Sequence, residues 1–398
     1  MLKSSASGAA SPNLKPSDGA APPVNPGPPR PEPQALLAQL GRAASAAGLS
    51  LEQLSDFHEA FREHSDLVKG VAAYRRHPWV RQLPEPPVIW AEGETRLLEF
   101  VPQDQAASGP VILFVPSLIN RAYVLDLAPG HSMLRWLAGE GFRCMLLDWG
   151  WPGFAERQFT ITNYVAGRLE RALAFAYAHA GEKLVLAGYC MGGTLSVAAA
   201  VRRPEPLRAI VLLATPWDFD AVDAGRALQV INRLPLFDEV LAATQTMPID
   251  LLQILFALVD PYGVGAKYQA FASLDPESER ARLFVAIEDW LNDGVPLAAA
   301  VFRECVKRWY EENLPARREW QVGGVVIDPA RIALPAFVAA PGRDRLVPPA
   351  SARALAAQLP GAVLHEPLAG HIGMVAGANA EQTLWVPLRD WLRALPRA

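Results

Sequence analysis

The sequence predicts an α/β fold: a mostly parallel, doubly wound sheet with an inserted helical segment and a short helical N-terminal extension. Two observations carry this. Short apolar runs alternate with helical patterns along most of the chain, the signature of strands buried on both faces and of the helices that cross between them. Residues 217–314 then interrupt the alternation with helical and aromatic character and no convincing strand, the size and position of a cap inserted over an active site.

Residues 1–33 are mostly Pro, Ala, Ser, Gly and Asn. Too few large apolar side chains are available to offset the entropy of ordering, so a disordered tail is expected there. Residues 34–94 are expected to form a helical extension. Leu36, Leu37 and Leu40, then Leu54, Phe57, Phe61 and Leu67, recur at helical spacing and need a partner to pack on, either the core or another subunit. A first core segment follows over 95–216, with strands predicted at 111–115 (VILFV), 143–147 (RCMLL), 184–187 and 209–214. Helices are predicted at 132–138, 165–180 and 195–202. After the cap, 315–398 completes the core with a strand at 336–340 and a helix at 350–359.

The chain has 398 residues, 51% hydrophobic and 20% charged, with a formal net charge of -4. That balance gives no electrostatic case for nucleic acid. Its three cysteines, Cys144, Cys190 and Cys305, are too few and too scattered for a disulfide framework or a metal site, which fits a reducing cytoplasm. Lys3 and Lys15 precede no apolar run, so neither a secretory leader nor a membrane anchor is expected. Stretches such as 251–259 fall well short of the about 18 to 20 residues of a spanning helix.

The chemistry centres on Leu184-Val185-Leu186-Ala187-Gly188-Tyr189-Cys190-Met191-Gly192-Gly193-Thr194. A strand that turns sharply into a helix with a nucleophile at its apex needs small residues two before and two after, and Gly188 and Gly192 meet that need. Cys190 stands where a hydrolase of the α/β class has serine. A cysteine at a helix N-terminus also feels the positive end of the dipole, which favours thiolate. Nucleophile, acid and histidine follow one another along the chain in this fold. Asp344, just past the 336–340 run, and His371, in Gly370-His371-Ile372-Gly373, satisfy that order. His365 is the nearby rival imidazole, and Asp218 the rival acid, read as structural. The oxyanion hole is expected to use the backbone N–H of Met191 and one from residues 116–120, assigned to Leu118.

With these residues in place the chain resembles the polyhydroxyalkanoate synthases, cysteine-dependent polymerases on the α/β-hydrolase fold, and within them the short catalytic subunit of the two-component type. The resemblance runs from about residue 98 to the C-terminus. It rests on Val115-Pro116 with Ile119-Asn120-Arg121 and Leu125-Asp126; on Leu147-Asp148-Trp149-Gly150-Trp151-Pro152; on the Gly188 to Gly193 box; on Thr215-Pro216-Trp217-Asp218-Phe219 and Trp290; on Gly323-Gly324; on Asp344 with Leu346-Val347-Pro348-Pro349; and on Gly370-His371-Ile372-Gly373. Carried over by position, the family's catalytic cysteine, aspartate and histidine fall on Cys190, Asp344 and His371.

The resemblance implies transfer of a 3-hydroxyacyl group from coenzyme A to the thiol, then attack by the hydroxyl of another unit, so that a polyester grows. It implies no metal or redox cofactor. It also implies an accessory synthase subunit or homodimerisation, and residence in the cytoplasm at the polyester granule surface. Three features depart from the pattern. Arg345 stands where a histidine often follows the aspartate, the Pro/Ala-rich head is additional, and the long N-terminal domain of one-component synthases is missing.

Other residues are given structural readings: Asp148 as a loop anchor, Cys144 and Cys305 as packing residues. Trp149, Trp151, Trp217, Trp290 and Trp309 are read as core or as the lining of an acyl channel, and Arg121 or a cap arginine is expected to meet the coenzyme A phosphates. Two competing functions remain open at this point: a cysteine thioesterase or esterase that admits water in place of the hydroxyacyl alcohol, and a catalytically silent granule-associated protein.

Overall fold

A computed structural model describes residues 65–102, 108–221, 235–259 and 261–396. The tail expected at 1–33, and the helical pattern of Leu36, Leu37, Leu40, Leu54, Phe57 and Phe61, lie outside the described residues.

Eight strands form one sheet. They are β1 (Val88–Glu92), β2 (Thr95–Phe100), β3 (Ile112–Val115), β4 (Cys144–Asp148), β5 (Leu184–Tyr189), β6 (Leu207–Leu213), β7 (Ala336–Ala339) and β8 (Val363–His365). Their spatial order is β1-β2-β4-β3-β5-β6-β7-β8. β2 pairs antiparallel with both β1 and β4. From β4 to β8 every pairing is parallel, so those strands end on one edge of the sheet.

The apolar runs are continuous because the strands between β4 and β7 are covered on both faces. Leu113, Met145, Leu147, Leu184, Leu186, Ile210 and Leu212 feed one core. Their immediate neighbours Ile112, Phe114, Cys144, Leu146, Val185, Ala187 and Val211 feed the other, as the two-residue period of a strand requires. Packed on these faces are α2 (Met133–Gly139), α3 (Glu170–Ala180), α4 (Met191–Arg202), α10 (Pro349–Gln358) and α11 (Val386–Arg393). Ser132 caps α2 by accepting the Arg135 amide at 3.1 Å, and Gly181, at φ 72°, ends α3 in the left-handed region.

Between β6 and β7 lie α5 (Pro235–Thr244), α6 (Ile249–Val259), α7 (Pro261–Ala272), α8 (Glu279–Asn292) and α9 (Ala299–Glu304). α9 runs on into a wider π-type turn, Cys305–Glu311. This interval is not free of strand: Thr246–Met247 and Leu297–Ala298 pair antiparallel, too short a ladder to leave an alternating pattern in sequence.

The N-terminal stretch also differs from expectation. Only α1 (Ser65–Arg76) is helical among its described residues, and β1 falls inside the 34–94 range expected to be helical. Gly93, at φ 57°, closes the turn that folds β1 back on β2. α1 packs on the insertion. Tyr74 donates to Asp289 at 2.8 Å and shares a small core with Phe271, Ala281 and Val285, while Gly70 lies against the Tyr268 carbonyl, where a Cβ would come within 1.9 Å.

Candidate active site

Cys190 lies between the end of β5 and the start of α4 with φ 55° and ψ -130°, a backbone that only an over-determined turn holds in a residue with a side chain. The turn is pinned from both sides. Cys190 N donates to Leu213 O at 2.9 Å, and Gly193 N donates to Cys190 O at 2.8 Å. Its glycines are forced by contact: a Cβ on Gly188 would stand 2.4 Å from the Gly193 Cα, and one on Gly192 would stand 2.1 Å from the Val115 carbonyl oxygen.

Asp344 follows β7 and His371 follows β8, so the parallel strands deliver both to the edge that carries Cys190. The Nδ1–H of His371 donates to Asp344 Oδ2 at 2.6 Å. The other carboxylate oxygen of Asp344 accepts the amides of Leu346 and Val347 at 2.9 and 2.8 Å, which fixes the orientation of the whole group. With Nδ1 so engaged, the other ring nitrogen stays available, and Cys190 is near enough for its charge to act on the imidazole. Burial alone would depress the imidazole pKa; the Asp344 charge, followed by Cys190, outweighs it and raises the value to about 10. Such a group holds its proton firmly and still stands in line to exchange it with the thiol.

The thiol opens into a cavity of about 540 Å³. Much of its wall is apolar, with Phe219, Leu252, Trp290 and Trp309 among the lining, but Gln253, Lys267, Tyr268, Glu288 and Asn292 make a polar stretch. There the buried Glu288 carboxylate accepts Lys267 Nζ at 2.6 Å and the Tyr268 hydroxyl at 2.7 Å.

The rival groups are occupied elsewhere. Asp218 accepts the Asn313 side-chain amide at 2.8 Å; Asp148 accepts the Gly150 amide at 3.1 Å and pairs with Arg96 at 2.7 Å; His365 bonds the Thr383 carbonyl at 2.6 Å. Cys144 is enclosed in β4, and burial pushes its thiol pKa up. Cys305, also raised by burial, nevertheless borders the cavity.

Of the five tryptophans named above, Trp290 and Trp309 line the cavity. Trp149 and Trp217 are buried in the core, and Trp151 is half exposed. Arg121 also lines the cavity. Met191 lies on its wall, whereas the Leu118 side chain turns into the core, which leaves only its backbone to serve as a donor. The next amide, Ile119, is already given to Ser117 Oγ at 3.2 Å.

Sequence reasoning gave no role to Tyr189, whose hydroxyl donates to the His371 carbonyl at 3.3 Å and whose ring centre lies 5.1 Å from the imidazole. It also gave none to the Lys267–Glu288 wall. The only available signal was a lysine and a glutamate on otherwise apolar helical faces.

A family model described as alpha/beta hydrolase fold matches residues 110–378. The chain is 30% identical over 311 residues to the poly(3-hydroxyalkanoate) polymerase subunit PhaC of Haloferax mediterranei, an alignment covering 76% of this chain and 63% of that protein. It is 29% identical to the subunit of the same name from Allochromatium vinosum, over 73% of this chain and 83% of that one. The Synechocystis counterpart is 28% identical, with 76% and 83% covered. The chain therefore spans less than two thirds of the Haloferax relative and most of the other two. Because the family model spans well over half of the sequence and contains the elbow, the acid loop and the histidine loop, the chain belongs to the alpha/beta hydrolase fold family.

Proposed function

We propose that this chain is an acyltransferase of the polyhydroxyalkanoate synthase type, which polymerises 3-hydroxyacyl groups from coenzyme A through a thioester on Cys190. The observation that carries the reading is a thiol, not a hydroxyl, at the apex of the elbow, bordering the same cavity as a His371 imidazole that Asp344 holds at 2.6 Å. The similarity to the three PhaC subunits supports it.

In the first half-reaction the Cys190 proton already rests on His371, and the thiolate sulfur attacks the thioester carbonyl. The N–H groups of Met191 and Leu118 receive the developing oxyanion, and the coenzyme A thiolate leaves with the proton returned by His371. Thioester exchange is nearly neutral in energy, and the acyl group stays reactive toward an alcohol. In the second half-reaction His371 deprotonates the hydroxyl of another 3-hydroxyacyl unit, whose oxygen attacks the enzyme thioester. The ester bond forms and Cys190 sulfur departs, protonated by His371. Asp344 holds the imidazole in orientation and offsets its charge. We assign Arg121 to the coenzyme A phosphates. In this reading the insertion acts as a cap, the cytoplasmic granule surface is the working location, and an accessory subunit or a second copy completes full activity.

The deciding experiment incubates purified protein with 3-hydroxybutyryl-CoA, follows coenzyme A release and identifies the product. Polymer supports the synthase; free acid at the same rate would make the chain a thioesterase; no release would refute both.

A further inference from the structure

The loop that carries the proposed oxyanion donor Leu118 is held from above by the insertion. The Trp290 indole N–H, on the last turn of α8, donates to the Arg121 carbonyl at 2.8 Å. Val295 N donates to the Ile119 carbonyl at 2.9 Å, and Asn120 and Gly294 form an antiparallel bridge between these bonds. The Tyr123 hydroxyl, on the turn after the loop, lies near enough to Asp293 for that charge to act on it. Every residue of the loop from Ile119 to Arg121 is thus tied to the stretch from Trp290 to Val295, and Trp290 is 3% exposed. On the sheet side the loop has a further anchor, the Trp149 indole N–H donating to the Pro116 carbonyl at 3.0 Å.

We infer that Trp290 is a positioning residue: by clamping residues 119–121 it sets where the Leu118 amide points, so that the oxyanion hole is complete only while the end of α8 is seated on the loop. The inference rests on the proposed acyl-transfer reading, because it gives the loop an oxyanion to bind. Its physical basis is geometric. An oxyanion donor acts from a fixed distance and direction, and a displacement of about 1 Å at such a group is enough to cost one to two orders of magnitude in rate. A loop pinned on one side by Trp149 and on the other by Trp290 has its middle held at both ends.

The test separates two reactions of the same thiol in the full chain. Acylation of Cys190 by p-nitrophenyl acetate passes through an oxyanion; alkylation by iodoacetamide does not. Trp290→Phe keeps an aromatic ring in place and removes the N–H. We expect its acylation rate to fall about tenfold, mainly in kcat, with the alkylation rate within about twofold of the parent. Equal falls in both rates would show a general loss of structure and overturn the inference, as would no fall in either. Should Trp290→Phe prove insoluble, Tyr123→Phe removes the hydroxyl on which Asp293 acts and must show the same split, with a smaller fall in acylation. A parent enzyme that is acylated by the ester but releases no coenzyme A from 3-hydroxybutyryl-CoA would refute the substrate reading while leaving the clamp to stand or fall on its own two rates.

Discussion

A thiol and a hydroxyl at the same apex differ in how they are activated and in what their esters do next. A thiol ionises far more readily than a serine hydroxyl, and a thioester is a bond that an alcohol displaces easily, which is what the proposed reaction asks of Cys190. Cys190→Ala is expected to abolish coenzyme A release, and Cys190→Ser to lower polymerisation by several orders of magnitude while keeping slow hydrolysis. Cys144→Ala and Cys305→Ala should leave turnover mostly intact, since burial keeps both thiols protonated. A serine variant that polymerises like its parent would contradict the thioester route. His371 offers a second handle. Its pKa rises from an unfolded value near 6.5 to about 10 in the folded chain. The charged imidazole therefore contributes stability that is fully present below pH 6.5 and is lost as pH rises through about 10. The stability gap between the parent and His371→Gln, measured by urea denaturation, should shrink between pH 6 and pH 11 by at least about 1.4 kcal/mol, the worth of one pH unit. A gap that grows with pH would be incompatible with the Asp344 pairing. Cys190, Asp344 and His371 could be picked out in sequence because each sits in a short motif past an apolar run, in a fixed order along the chain. Tyr189 and the Lys267–Glu288 pair could not, because their roles arise only when distant segments pack.

At the scale of elements, the buried parallel strands were the most legible part, since covering on both faces removes every polar position and leaves an unbroken apolar run. The β1–β2 hairpin was not. β1 is an edge strand with mixed exposure, and its VIWAE segment carries too little periodicity to mark a strand until Gly93 turns it onto β2. Helix α4 begins earlier than its propensity suggests, at Met191 and not Leu195, with two glycines in its first turn. Close packing overrides propensity there, and the cost of doing otherwise can be measured. Gly192→Ala places a methyl group 2.1 Å from one carbonyl oxygen and 2.4 Å from another, both backbone, and should destabilise the chain by about 1 to 3 kcal/mol and slow acylation of Cys190. Gly139→Ala, in α2, meets nothing within 4 Å and should be neutral or stabilising by up to about 1 kcal/mol. Chemical denaturation of the two variants side by side checks the contrast; equal stability would mean the elbow is not held by contact.

Across the whole molecule, the partner of the N-terminal helical pattern, open in the sequence, is the insertion for the part that is described: α1 covers the aromatic rings of Tyr268, Phe271 and Phe284. No periodicity in either segment names the other, because the contact joins stretches about two hundred positions apart and is set by shape. The same remoteness governs the three groups of the candidate site. Cys190 follows β5, Asp344 follows β7 and His371 follows β8, with the whole insertion lying between the first and the second. Translation delivers these pieces one at a time. While the ribosome is still making the later strands, the thiol has already been synthesised, but neither the His371 imidazole nor the Asp344 carboxylate hydrogen-bonded to it yet exists. Under the proposed mechanism a half-made chain cannot load an acyl group or begin a polymer that would tether it before folding ends. In that reading competence comes only once the last strand of the sheet is made, and the order of synthesis acts as a safeguard through where along the chain each participant lies.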